Sequence, residues 1–241
     1  MKKKLNSELT FYSCVLCGYI AFSVLILNAY FLKTANQAMS KSAQYFPNII
    51  IDPGHGGVDS GAVGIDNVLE KDINLSIALK LRDLLEASGF NTTMTREIDE
   101  SIHNKSAKSI RAKKVSDMKN RLNLVNADAN NLLISIHQNK FEESRYNGTQ
   151  VFFSKNNPRS QELAQSIRAS IVGLLQKDNS REIKPSPKGV FLLNKATVPA
   201  VIVECGFLSN NEDVKNLLSE KYQEQMAFSI YCGLLDFWRK A

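Results

Sequence analysis

Residues 48–61 read NIIIDPGHGGVDSG, and this stretch indicates the fold of the chain. Asn48–Ile51 is a short apolar run rich in β-branched residues, which predicts a buried strand that ends at Asp52 and Pro53. His55 then lies among three glycines, which permit tight turns and the close approach of a ligand to the backbone. The stretch predicts an imidazole at the end of a sheet strand. A tight turn with a capping histidine would give the same pattern.

The rest of the chain alternates helical and strand patterns. Helices are predicted at Leu69–Ser88, Met118–Asn126, Pro158–Leu175 and Ser219–Trp238. Further strands are predicted at Phe90–Thr95, Leu132–Ile136, Gly148–Ser154, Val190–Leu193 and Ala200–Val203. This alternation predicts a three-layer α/β domain, in which ligands bind outside the carboxyl ends of the strands.

Charge is distributed unevenly along the 241 residues, which suit one medium-sized domain with an extension. Residues 1–46 carry +4 of the formal charge of +6, and residues 47–241 carry only +2. A general nucleic-acid surface is therefore not indicated. Lys105–Arg121 nevertheless holds seven basic residues and one acidic residue. A solvated face is the usual explanation, and contact with an anionic polymer or a protein partner is the alternative.

The N-terminal residues 1–46 resemble an export segment. Lys2–Lys4 precede Phe11–Leu32, a run of 22 uncharged residues that is long enough to span a bilayer. We expect a membrane anchor followed by a polar linker, with a cleaved signal as the alternative. Residues 47–241 would then form the catalytic domain and act outside the cytoplasmic membrane.

Histidines at strand ends point to a metal site. Zinc in a catalytic site commonly takes two histidines and one carboxylate, with a further position left for water. His55, His137 and Glu204 each follow a predicted strand. If these strands are parallel neighbours, the three side chains converge at one edge of the sheet. The remaining histidine, His103, lies in a polar segment, and we expect it to face solvent.

The carboxylate ligand is not decided by the residues alone. Glu70 lies at the start of the first predicted helix, where a carboxylate is also favourable because of the helix dipole. Asp52 and Asp59 compete for the role, and Asp52 could instead orient an imidazole from the outer shell.

Glu204 carries a different signal, because an ionised, unpaired carboxylate at the end of an apolar strand is costly. It could take a proton from an attacking water as a general base. The alternative is a strand-end glutamate that reaches solvent or Lys195.

Five motifs occur in one order: IIIDPGHGG, the LEKD containing Glu70, Thr95–Arg96, the SIHQN around His137, and VPAVIVECGFLSN. Together they resemble the zinc-dependent N-acetylmuramoyl-L-alanine amidase family over about Ile49–Trp238. The resemblance implies a mixed six-stranded sheet with helices on both faces. It also implies that Zn²⁺ is bound by His55, Glu70 and His137, and that Glu204 is the catalytic carboxylate.

The arrangement of a single domain directly behind a membrane segment resembles that of the germination-specific amidases of endospore formers. That similarity implies removal of peptidoglycan stem peptides, so that muramic-δ-lactam can form in the spore cortex. The site of action would be the outer face of the cytoplasmic membrane or the intermembrane space of the forespore. A spore-envelope lipoprotein or another protein could complete the zinc site by ordering loops. Gln138 stands where many relatives carry a small residue, which would narrow the cleft floor.

Three other functions compete with this interpretation. A zinc metallopeptidase that cuts cell-wall peptides would need the same metal site. A non-catalytic peptidoglycan-binding module would not need a general base such as Glu204. A phosphate-binding glycine loop is disfavoured, because no lysine follows the glycines as in a P-loop.

Overall fold

The structure is a computed structural model that describes residues 23–24, 26–31, 33 and 47–240. The chain divides into two units, Met1–Phe46 and Pro47–Ala241. The described residues of the first unit are helical. Much of the predicted membrane segment Phe11–Leu32 lies outside the described residues. Among the residues that are described, no helix has both the length and the apolar character needed to cross a bilayer.

The second unit is a six-stranded sheet between two layers of helices. Its strands are β1 Ile49–Pro53, β2 Thr92–Met94, β3 Leu132–Asn139, β4 Gln150–Phe153, β5 Lys184–Pro185 and β6 Ala200–Phe207. Its helices are α1 Glu70–Ala87, α2 Ile110–Val125, α3 Arg159–Leu174, α4 Phe191–Lys195, α5 Asn211–Leu217 and α6 Glu220–Arg239, with a 3-10 turn at Ile65–Asn67.

The sheet order is β2-β1-β3-β6-β4-β5. The first four strands in this order are parallel, whereas β4 runs antiparallel to β6 and parallel to β5. The predicted mixed six-stranded α/β sheet is therefore confirmed. Because β1, β3 and β6 are parallel neighbours, their carboxyl ends meet at one edge of the sheet.

Continuous apolar runs form the central strands because both faces of the sheet are covered. Ile50, Leu133 and Ile202 face one side, where they pack with Val125 of α2 and Leu192 of α4. On the other side α1 and α3 pack against the sheet, and α6 packs against both of these helices. The central strands are thereby held on both faces, and only their ends remain available for a site.

Two predicted elements differ from the structure. The predicted strand Val190–Leu193 is wrong, because Val190 is the N-cap of helix α4 and Phe191–Leu193 lie in that helix. A short apolar run does not distinguish a strand from a buried helix. Helix α2 begins at Ile110 rather than at Met118. The Ser109 hydroxyl caps it by accepting a hydrogen bond from the backbone N–H of Ala112.

Strands β3 and β6 continue beyond their predicted ends, so His137 and Glu204 lie within strands rather than after them. Helix α5 was not predicted from the sequence, although the Asn210 side chain caps its first turn. The longer strands matter for the site, because backbone pairing then fixes the positions of both side chains.

Candidate active site

His55 lies on the turn that follows β1 and has a left-handed backbone conformation, with φ of 64°. Its imidazole contacts two carboxylates. Nδ1 lies 3.0 Å from Oδ2 of Asp59, and Nε2 lies 3.2 Å from Oε2 of Glu70. The two ring nitrogens therefore have different partners, and Nε2 faces the interior of the site.

Glu70 is the first residue of α1, and its buried carboxylate lies between the two histidines. Oε1 lies 2.8 Å from Nδ1 of His137 and accepts a hydrogen bond from the backbone N–H of Gln138 at 3.1 Å. Oε2 accepts a hydrogen bond from the backbone N–H of Ala62 at 2.8 Å. These contacts fix both oxygens of Glu70 in the site.

The three predicted ligand residues thus come together. One donor atom from each of His55, Glu70 and His137 lies within 4.8 Å of the other two, and the imidazole rings are 5.0 Å apart at 75°. Two imidazole nitrogens and a carboxylate oxygen form a donor set that could hold a metal ion with an open position. The evidence for a metal is this arrangement of donors.

Charges in the cluster are strongly coupled. Burial opposes protonation of His55, but hydrogen bonds and charges from Asp59 and Glu70 outweigh it and raise the pKa of His55 to about 9. Burial also opposes ionisation of Glu70, yet the two imidazoles hold the pKa of that carboxylate well below its usual range. Without a metal, the histidines therefore act as positive partners of Glu70.

Glu204 lies on β6 directly beside His137, because the two residues are paired in the register of β3 and β6. Its Oε2 is buried and has no hydrogen-bond partner among the described residues. Burial raises the pKa of Glu204 to about 7, against the opposing charge of His137. Within residues 47–240, Glu204 makes no ion pair with Lys195, so that alternative is not observed.

Asp52 and Asp59 have roles different from those first considered. The Asp52 carboxylate is buried and accepts hydrogen bonds from Thr95 at 2.7 Å, from Ser135 at 2.6 Å and from Arg121. The prediction that Asp52 orients an imidazole is therefore wrong. Asp59 orients His55 instead, and it also pairs with Lys114 at 2.7 Å.

Two other residues singled out in the sequence are not among the three candidate ligands. His103 is half-buried rather than fully solvent-facing, and its Nδ1 lies 2.9 Å from the Ser101 hydroxyl. Gln138 is buried and donates a hydrogen bond from Nε2 to Oδ1 of Asn74. That Gln138 narrows the cleft floor stays a prediction. Cys205 and Cys232 are free thiols.

Glycines leave room for the ligand side chains. A Cβ at Gly54 would lie 2.2 Å from the imidazole of His137, and one at Gly61 would lie 2.5 Å from Oε2 of Glu70. Gly61 also has φ of 68°, which other residues rarely adopt. The glycines around His55 are evident from the sequence, but the side chains that they approach are evident only from the structure.

Comparisons with known proteins agree with this fold. Residues 49–236 match the family model described as N-acetylmuramoyl-L-alanine amidase. The germination-specific N-acetylmuramoyl-L-alanine amidase of Bacillus subtilis is 35% identical over 190 residues, which are 79% of this chain and 79% of that protein.

Two solved structures extend the comparison. The CwlD amidase of Clostridioides difficile, solved in complex with the GerS lipoprotein, has a TM-score of 0.78 and 41% identity, and the match covers 81% of this chain and all of that one. An N-acetylmuramoyl-L-alanine amidase from Clostridium difficile 630 has a TM-score of 0.70 and 30% identity, with 81% and 98% covered. The chain therefore belongs to the N-acetylmuramoyl-L-alanine amidase family and is a peptidoglycan hydrolase.

Proposed function

We propose that this enzyme is a zinc-dependent amidase that removes stem peptides from spore-cortex peptidoglycan. The observation that carries the proposal is the convergence of His55, Glu70 and His137 beside the unpartnered Oε2 of Glu204. Two imidazoles and one carboxylate suit Zn²⁺ better than they suit Mg²⁺ or Ca²⁺, which prefer oxygen ligands. Asp59 adds support, because ligating histidines usually donate their other ring N–H to a carboxylate.

His55, Glu70 and His137 would hold the zinc ion, whose Lewis acidity would polarise the amide carbonyl and make water a better acid. The scissile bond joins the lactyl group of N-acetylmuramic acid to the nitrogen of L-alanine. Glu204 accepts a proton from the attacking water while the new carbon–oxygen bond forms. It then returns that proton to the alanine nitrogen as the carbon–nitrogen bond breaks, which leaves a free acid and a free amine.

The surroundings of Glu204 suit such a proton transfer. A carboxylate whose pKa is raised towards neutral can both accept and return a proton near pH ~7. In the part of the chain that the structure describes, its Oε2 has no partner that would compete for the water or for the alanine nitrogen. A role in catalysis also accounts for a buried carboxyl oxygen that would otherwise be costly to leave unsatisfied.

Removal of stem peptides would allow muramic-δ-lactam to form in the cortex. Similarity to a germination-specific amidase over most of both chains supports this role. The enzyme would be anchored or exported through residues 1–46 and act at the outer face of the cytoplasmic membrane or between the forespore membranes.

A spore-envelope lipoprotein is the proposed activating partner, because a similar amidase was solved with a lipoprotein. The candidate contact surfaces are the basic segment Lys105–Arg121, which covers the first part of α2, and the edge strands β2 and β5.

Zinc content and product identity test the proposal together. The purified protein is incubated with cortex peptidoglycan, its zinc is quantified, and the newly formed amines are identified. Bound zinc with release of peptides that begin with alanine is the expected result, whereas a different new amine would favour a metallopeptidase. Protein that fails to bind added zinc both with and without the lipoprotein would contradict the proposed metal site.

Spores lacking the enzyme should lack muramic-δ-lactam, and normal lactam content in them would contradict the cortex role.

A further inference from the structure

Two buried arginines converge on the turn that carries His55. Arg121 belongs to α2 and Arg96 follows β2, and each residue is 2% exposed. A buried guanidinium needs acceptors for its N–H groups, because an unpaired buried charge is strongly unfavourable. The identity of these acceptors therefore indicates what the arginines do in the fold.

Arg121 reaches the turn from helix α2. Its Nη2 donates a hydrogen bond to the carbonyl of His55 at 2.6 Å, and its Nη1 donates one to the carbonyl of Pro53 at 2.9 Å. Its charge is balanced by the carboxylates of Asp52 and Asp117. The guanidinium thus joins the end of β1, the turn and α2.

Arg96 completes the set of donors. Its Nε donates to the carbonyl of Pro53 at 3.0 Å, and its Nη2 donates to the carbonyl of Gly54 at 3.0 Å. The same Nη2 donates to the carbonyl of Lys71 on α1 at 2.8 Å. The two arginines together bind three consecutive carbonyls, those of residues 53, 54 and 55, and tie the turn to α1 and α2.

This turn needs external support because of its backbone conformation. His55 has a positive φ, which is uncommon for a residue other than glycine and persists where the surroundings enforce it. At the next position, a Cβ on Gly56 would lie 2.8 Å from Cδ of Arg96, so the arginine side chain packs directly against the turn. Charged donors to successive carbonyls are well suited to hold such a conformation.

We propose that Arg96 and Arg121 are positioning residues that hold the turn so that Nε2 of His55 faces Glu70 before a metal arrives. The inference rests on the proposed metal site and extends it to two residues outside the set of proposed metal ligands. It also gives a role to the Thr95–Arg96 motif and to Arg121, which the proposed reaction does not otherwise use. Lysine keeps the charge at either position, but it lacks the planar fork that binds two carbonyls at once.

Zinc affinity of Arg96→Lys and Arg121→Lys tests the proposal, with Arg159→Lys as the matched control. Arg159 is half-buried and stacks over Phe237 on the other face of the sheet, so its replacement reports the general effect of an Arg-to-Lys change. Loss of outer-shell support typically weakens metal affinity roughly 10- to 100-fold. We expect a loss of that size in both turn variants, and an affinity close to wild type in the control.

Two spectroscopic measurements separate positioning from folding. Far-UV circular dichroism of the metal-free variants reports whether they fold, and the visible absorption of bound Co²⁺ reports the ligand geometry. Folded turn variants with altered Co²⁺ spectra are the expected result. Folded variants that bind zinc as tightly as Arg159→Lys, with an unchanged Co²⁺ spectrum, would overturn the inference.

Hydrogen exchange of the metal-free wild-type protein decides the matter even if the variants fail to fold. The N–H groups of Gly54 and Gly56 donate to the carbonyls of Ile136 and Asp59, and both should be protected from exchange without zinc. Free exchange at both positions until zinc is added would show that the metal orders the turn, and would overturn the inference. Wild-type protein that binds no zinc but has a protected turn would instead contradict the proposed function alone.

Discussion

His137 and Glu204 lie side by side, in register, on the neighbouring parallel strands β3 and β6. Side chains paired in this way project from the same face of a sheet. The hydrogen-bonded core of the domain, rather than a loop, therefore sets the separation between the proposed zinc ligand and the proposed general base. Changes to the chemistry of Glu204 should consequently leave the metal ligands in place.

Glu204→Gln should retain zinc and lose turnover. The amide has nearly the same shape as the carboxylate but does not accept a proton, so kcat should fall roughly 100- to 10,000-fold. Zinc content by atomic absorption and release of alanine-terminated peptides are measured on the same sample. Glu143→Gln, which changes an exposed carboxylate paired with Arg145, is the control and should keep its activity. Loss of zinc from Glu204→Gln would identify Glu204 as a ligand instead.

Asp59→Ala should weaken zinc binding without abolishing chemistry at saturating zinc. The Asp59 carboxylate orients the imidazole of His55 through Nδ1, and removal of such a partner typically lowers metal affinity roughly 10- to 100-fold. The affinity is measured by competition with a chromophoric chelator, and kcat is measured with excess zinc. Lys114→Met removes only the exposed partner of Asp59 and should have little effect. Equal affinities for Asp59→Ala and the wild type would exclude this role.

Much of the site could be predicted because it depends on strand ends. An apolar run followed by a polar residue locates the carboxyl-terminal part of a buried strand, where His137 and Glu204 lie, and His55 lies on the turn after such a strand. Their convergence required the three strands to be parallel neighbours, which the structure provides. The choice of Glu70 as third ligand came from family resemblance, because a helix-start glutamate alone has a simpler explanation.

Other features depended on conformation that the sequence does not encode locally. Asp52 and Asp59 both lie close to His55 in the chain, but the left-handed turn directs only Asp59 to the imidazole. Arg121 falls in a basic segment whose charge pattern predicts a solvent-exposed face. Its burial becomes evident only from the packing of α2 beside β1. The four apolar residues 190–193 suited a strand equally well until tertiary packing selected helix α4.

Gly54→Ala should disturb the metal site more than the fold. The added Cβ would lie 2.2 Å from the His137 ring, so the imidazole must shift from its position beside Glu70. We expect zinc affinity to fall at least about tenfold and stability to fall by about 1–3 kcal/mol, as is typical of overpacking. Gly173→Ala in α3 is the matched control, because a Cβ there meets nothing within 4 Å. Zinc titration and urea unfolding check the two effects, and unchanged zinc affinity would contradict the crowding argument.

Asp52 should make the stability of the domain depend on pH under acidic conditions. Burial opposes ionisation of Asp52, but Arg121 and hydrogen bonds from Ser135 and Thr95 outweigh it and lower its pKa from 3.8 to about 2. A carboxyl group whose pKa is lower in the folded state stabilises the fold above its unfolded pKa. That contribution, about 2 kcal/mol, is lost as the pH falls through about 4 towards 2.

Asp52→Asn tests this dependence, because asparagine cannot ionise and resembles the protonated acid. The free energy of urea unfolding of the zinc-free variant should lie about 2 kcal/mol below that of the wild type at pH ~7, and the difference should shrink towards pH ~2. Asp236→Asn, which alters only an exposed ion pair with Arg239, should give a small difference that stays nearly constant. A difference for Asp52→Asn that persists undiminished at pH ~2 would mean that hydrogen-bond geometry, rather than the charge of Asp52, stabilises this part of the fold.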